Sequence, residues 1–184
     1  MTVDEKLTWI PHMLELKKSF AKKVGLLKKS RFLPRGVRQD LCFRVILPSV
    51  TCGLILWSFC CNCDLFQSLE RLHCRAVRLI FNLPKDMASA DVLQRTQWPT
   101  LSIHYKSAIF ICFHKAFHDR LPVTLIDLIS KKRATNYSTR KCASLIVPRF
   151  NMRYMKDSVA FRGSVLWNAV TNNNYWSLIL VVPW

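Results

Sequence analysis

The sequence predicts a mainly α-helical protein, and three observations carry that class. Only four of its 184 residues are glycine, while Leu, Ile, Phe and Lys are common. Apolar residues recur every three or four positions in long stretches near 11–30, 64–81 and 100–118. Half of the chain, 51%, is hydrophobic, enough to bury a core in one domain or two small ones.

The elements follow in order. Residues 1–10 read as an extended approach ending in Leu7-Thr8-Trp9. Pro11 suits the first turn of a helix running to about Ser30, with Met13, Leu16, Phe20, Val24 and Leu27 inward. Lys18, Lys22 and Lys29 lie opposite that stripe, and Lys17, Lys23 and Lys28 lie between. After a turn at Arg31 to Pro34, a second helix is expected from Arg35 to Leu47. Its inward residues would be Val37, Leu41 and Val45, with Arg35, Arg38 and Arg44 at the surface. Pro48 should then break the apolar run into short helices.

The stretch from Asp64 to Phe81 organises the rest. Leu65, Leu69, Leu72, Ala76 and Leu79 make one apolar stripe, and Arg71, Arg75 and Arg78 follow its edge. Asp64 can cap the start, and Pro84 comes just after the end. Ser89 could cap a short helix through Gln94. Thr100 could cap a long one to about His118, nearly buried all round by Ile103, Ser107, Ile109, Phe110, Phe113, His114 and Phe117. Pro122 opens a short helix over Val123 to Ile129. From Lys131 to Lys156 there are eight basic residues and no acid, with a candidate strand at Ala143 to Val147. Ser158 to Val170 reads as the last helix.

Charge narrows the function. Lys and Arg number 28 against 11 acids, a formal charge of +17. That excess points to nucleic acid first and an anionic membrane surface second. A helix burying one side and presenting guanidinium groups on another can grip a polyanion; the same pattern also fits the solvated rim of a core helix. The basic residues that would meet phosphate are Lys17, Lys18, Lys22, Lys29, Arg71, Arg75, Arg78, Lys131, Lys132 and Arg133. The cationic rows of the two long helices are expected to share one concave side. Tyr137, Phe150 and Tyr154 are candidate stacking partners for bases.

Other chemistries find little footing. Residues 45–63 carry no charge and approach the length of a membrane span, but Pro48, Ser49, Thr51, Gly53, Ser58 and Asn62 dilute them. Membrane anchoring stays an alternative to a buried helix pair. Most of the eight cysteines, with no signal peptide expected, read as reduced core thiols of an intracellular protein, nuclear or cytoplasmic and not secreted. Cys60, Cys63, His73 and Cys74 invite a zinc site, yet His73 and Cys74 point to different sides of a helix. His114 and His118 read as core and rim residues. The acids are scattered, and there is no phosphate loop, nucleophile elbow or carboxylate cluster, so no catalytic residue, metal ligand or cofactor is assigned.

Seven stretches together carry a resemblance: VDEKLTWIPHM at 3–13, FLPRGVRQDLCFRVILPSV at 32–50, LERLHCRAVRLIFNLP at 69–84, FHKAFHDRLPVTLIDLI at 113–129, NYSTR at 136–140, LIVPR at 145–149 and FRGSVLWNAV at 161–170. In order and spacing they resemble the C-terminal part of a non-LTR (LINE-like, jockey/CR1-type) retrotransposon reverse transcriptase. The resemblance implies the thumb and post-thumb region of an RNA-directed DNA polymerase, a helical bundle gripping the template–primer duplex. It also implies that the metal-binding aspartates of the palm, with their Mg²⁺, and the fingers lie in a missing portion. The implied partners are RNA, DNA or an RNA/DNA hybrid and that catalytic portion; the isolated chain would not be an enzyme. The alternative is a decayed element fragment without function. The expected plan is a thumb-like helical bundle at 1–84, a second, smaller helical part at 85–130, and a basic, partly irregular segment at 131–170. An unrelated tail at 171–184, expected to be disordered, completes it.

Overall fold

The computed structural model describes residues 5, 9–57, 63–129, 145–149 and 158–173. It is mainly helical. The helices are α1 (Ile10–Lys29), α2 (Arg35–Leu41), α3 (Leu47–Thr51), α4 (Leu54–Trp57), α5 (Cys63–Phe81), α6 (Ser89–Thr96), α7 (Leu101–Phe117), α8 (Val123–Ile129) and α9 (Val159–Asn173). The chain forms two compact units, Met1–Ser102 and Ile103–Trp184. The expected boundary at 84/85 falls inside the first unit, because α6 packs on α5 and Trp98 stacks on Phe43 at 4.5 Å and meets Phe81 edge-on at 5.7 Å.

In the first unit α5 is the central helix, in contact with α1, α2 and α6. Neighbours on several sides explain why its buried face is wider than the stripe read from sequence. Leu69, Ala76 and Leu79 are buried as expected, but so are His73, Cys74, Val77 and Ile80, while Leu65 and Leu72 are half-buried. On α1 the expected core residues Met13, Phe20, Val24 and Leu27 are buried, and Pro11 occupies its first turn.

The second helix departs from expectation in two ways. Pro48 does not break it: a π turn at Cys42–Ile46 joins α2 to α3, and the chain stays helical to Thr51. The Leu47 N–H bonds the carbonyl of Cys42, five residues back. This wider turn accommodates a residue that lacks an N–H and would otherwise crowd the preceding carbonyls. The break comes instead at Cys52 and at Gly53, whose φ of 66° suits a residue without a side chain. The buried face is also different. Val37 and Val45 are 47% and 54% exposed, and Arg38, expected at the surface, is 3% exposed. One Arg38 nitrogen, Nη1, donates to the Leu79 carbonyl at 2.6 Å and to Asn82 Oδ1 at 2.9 Å. A cation is thus drawn under the C-terminal end of α5, where unpaired carbonyls collect negative charge.

Three longer helices end without glycine. Asn82, Gln97 and Asp119 take left-handed φ values of 53°, 51° and 55° after α5, α6 and α7. The next N–H in each case reaches back to Arg78, Leu93 or Lys115, closing the helix end. Prolines 84, 99 and 122 follow within three residues. Ser89 is not the cap of α6; Ala88 holds that position, and Ser89 Oγ accepts a bond from Arg78. The carboxylate of Glu70 accepts the Ser102 N–H at 3.1 Å in the first turn of α7.

In the second unit Trp167 of α9 stacks on Phe110 and Phe117 of α7, at 5.1 and 5.2 Å. Gly163 lets α9 approach the ring of Phe113. Ser158 caps α9 by accepting the Phe161 N–H at 3.3 Å. Residues 143 and 144 of the candidate strand lie outside the described residues; of 145–147 only Leu145 is bridged, and its N–H and carbonyl are both bonded by the Asn168 side chain, at 2.8 and 3.0 Å. Among the described residues, no helix is long and apolar enough to cross a membrane. The tail expected from 171 begins inside α9, which runs to Asn173; residues 174–184 lie outside the described residues.

Candidate nucleic-acid interface

The α1 helix carries the longest cationic surface. Lys18, Lys22, Lys28 and Lys29 are exposed, and Lys17 and Lys23 are half-buried beside the core stripe. At 100° per residue, Lys18, Lys22 and Lys29 sit on the side opposite Met13, Phe20, Val24 and Leu27. Lys18 and Lys22 are one turn apart, roughly 6 Å along the axis, so both ammonium groups can face one polyanion.

Among the described residues of α5, the exposed strip holds Asp64, Gln67, Arg71 and Arg75. Arg78, placed by sequence in the same row, is tied elsewhere. Its Nη2 donates to the Met87 carbonyl at 2.7 Å and to Ser89 Oγ at 3.3 Å, holding the connector between α5 and α6. Lys131, Lys132 and Arg133, with Tyr137, Phe150 and Tyr154, lie outside the described residues.

The two rows do not share a concave side. The buried stripe of α1 packs chiefly on α5, so its lysines face away from that helix. Arg71 and Arg75 occupy the strip of α5 that its neighbours leave uncovered. The cations therefore stand on the outward sides of two helices packed against each other. A helical wheel places charge on each helix separately; only packing fixes which way each wheel is turned.

A second basic feature joins residues far apart in sequence. Arg35, Phe81, Leu83, Arg95, Thr96 and Gln97 line an open cleft of about 360 Å³. The Arg35 guanidinium lies 3.9 Å from the centre of the Phe81 ring, a cation–π contact. Arg95 was not singled out by sequence, and no local spacing brings residues 35, 81 and 95 together.

Of the remaining reactive groups most suit a core, but Cys52, at the break after α3, is exposed, contrary to the reading of the cysteines as core thiols. Burial pushes the Cys42 thiol up to about 12 and raises the Cys74 and Cys112 thiols as well, which keeps them protonated and inert. His73 shares a 3.0 Å hydrogen bond with the Pro99 carbonyl. Among the described residues, no group of three His, Cys, Asp or Glu side chains could hold a metal ion; Cys60, Cys61 and Cys142 lie outside them. His104 and His114 are both held below the usual imidazole range, chiefly by burial, with His118 and Arg120 adding to the effect at His114. No protein-family model matches this chain, and no curated protein or solved structure does so either.

Proposed function

We propose that the chain binds RNA, or an RNA/DNA hybrid, without sequence preference, through phosphate contacts made by the lysine row of α1. In the same reading it is the thumb and post-thumb part of a non-LTR retrotransposon reverse transcriptase. Polymerisation then belongs to a separate palm that carries the metal-binding aspartates. The observation that carries the binding function is the exposed line Lys18, Lys22, Lys29 on the outer side of α1, in a chain of net charge +17. Arg71 and Arg75 point away from that line and act, at most, as a second and separate contact.

The test is the salt dependence of binding to a fluorescently labelled hybrid duplex. Each phosphate contact contributes roughly 0.7–0.9 to the slope of log affinity against log salt concentration. Changing Lys18, Lys22 and Lys29 together to Gln should lower that slope by about 2 to 3. The pair Arg71→Gln and Arg75→Gln should change it less. A salt-independent affinity, or a slope untouched by the lysine changes, would refute the proposal.

A further inference from the structure

We infer that the cleft between the start of α2, the end of α5 and the end of α6 is a binding site for a phosphate monoester, such as the terminal phosphate of a nucleotide. The cleft presents two guanidinium groups, Arg35 and Arg95, and none of its six lining residues is acidic. Among the described residues neither arginine forms an ion pair, although Asp91 lies one turn before Arg95 on the same helix. Two cations left without a carboxylate on one concave surface match a dianion. A phosphate monoester carries a charge of about −1.5 to −2 at neutral pH, whereas an internal phosphodiester carries only one.

The cleft is also partly prepared for such a ligand. Arg35 is stacked on Phe81, and Phe81 also meets edge-on Trp98, itself stacked on Phe43. Holding the planar guanidinium in place lowers the ordering cost of binding and keeps its donor edge free. Thr96 does not serve as a donor, since its hydroxyl is bonded to the Val92 carbonyl at 2.7 Å. Gln97, exposed on the last turn, supplies an amide that can donate. The cleft volume falls in the range of small-ligand sites and exceeds what a lone phosphate fills, so a sugar and base can accompany the phosphate.

This site uses none of the α1 lysines and stands or falls apart from duplex binding. Calorimetric titration of the full chain with adenosine 5′-monophosphate, adenosine and inorganic phosphate tests it. The monophosphate should bind, and adenosine should bind at least about tenfold more weakly. Arg95→Gln and Arg35→Gln should each weaken the monophosphate about tenfold or more, while the Lys18, Lys22, Lys29 triple variant leaves it unchanged. Arg95 is exposed, so R95Q should melt like the native chain and report binding alone. Arg35→Lys, which keeps charge but loses the planar stack, should fall between. Equal affinity for inorganic phosphate and the monophosphate, both lost in R95Q, supports the site and assigns free phosphate as its ligand. No binding of either, or binding insensitive to R95Q and R35Q, overturns the inference.

Discussion

Replacing Gly163 by Ala gives the most direct test of the packing in the second unit. A Cβ added there would penetrate the van der Waals surfaces of Phe113 Cε2 and Cζ and lie 2.6 Å from its Cδ2, where carbon atoms ordinarily stay 3.5–4.0 Å apart. Phe113 is 0% exposed, so its ring cannot swing into solvent to make room. Overpacking of this kind costs about 1–3 kcal/mol. Against it, Ala is favoured over Gly in a helix interior by about 1 kcal/mol. The net expectation is a loss of up to roughly 2 kcal/mol from these two terms, read as a lower urea midpoint by circular dichroism.

Two further variants separate the causes. Gly25→Ala on α1 meets nothing within 4 Å, so it carries the propensity gain alone and should stabilise by up to about 1 kcal/mol. Phe113→Leu should cost stability by itself but relieve Gly163→Ala when combined, giving a coupling energy of about 1 kcal/mol or more. Should Gly163→Ala stabilise the chain as Gly25→Ala does, or the double variant prove merely additive, the close approach of α9 to Phe113 is wrong.

Two other expectations follow from buried polar groups. Arg38→Met leaves the Leu79 carbonyl and Asn82 Oδ1 without their donor and should destabilise by about 2–4 kcal/mol in urea unfolding; a neutral result would mean the guanidinium is not buried as described. His104 is held below its ordinary value of 6.5 by burial, so above that pH both folded and unfolded chains keep it neutral. As pH falls through 6.5 the unfolded chain takes up a proton that the folded one refuses, and stability should drop until the depressed folded value is reached. Urea midpoints at pH 7.5 and 5.5 should show this loss, and His104→Phe should reduce it; an unchanged difference would exclude His104 as the source.

Much of the helical frame was legible because it rests on local signals. The apolar spacing of α1 and the proline that follows each of α5, α6 and α7 mark helices whatever surrounds them. What escaped depends on contacts across the fold. Arg38 looked like a surface cation because its acceptors, at 79 and 82, lie some forty positions later. Val37 and Val45 looked internal for the same reason: Arg38 took the buried side of the helix. The π turn left only Pro48 as a trace, and a proline in a helix more often signals a break. The lysines of α1, and Arg71 and Arg75 in the middle of α5, stand off the core as the helical wheels predict, but Arg78 was drawn aside by Met87 and Ser89, and the relation between the rows needed the packing of one helix on the other. The cleft of Arg35 and Arg95 had no signature in sequence at all.

The outward placement of those rows has a mechanical outcome. A clamp closes around one rod only if its charged jaws converge, and here they diverge. Charge held on separate surfaces gives each row its own field, so the potential outside the unit is spread over the surface and is not focused into one groove.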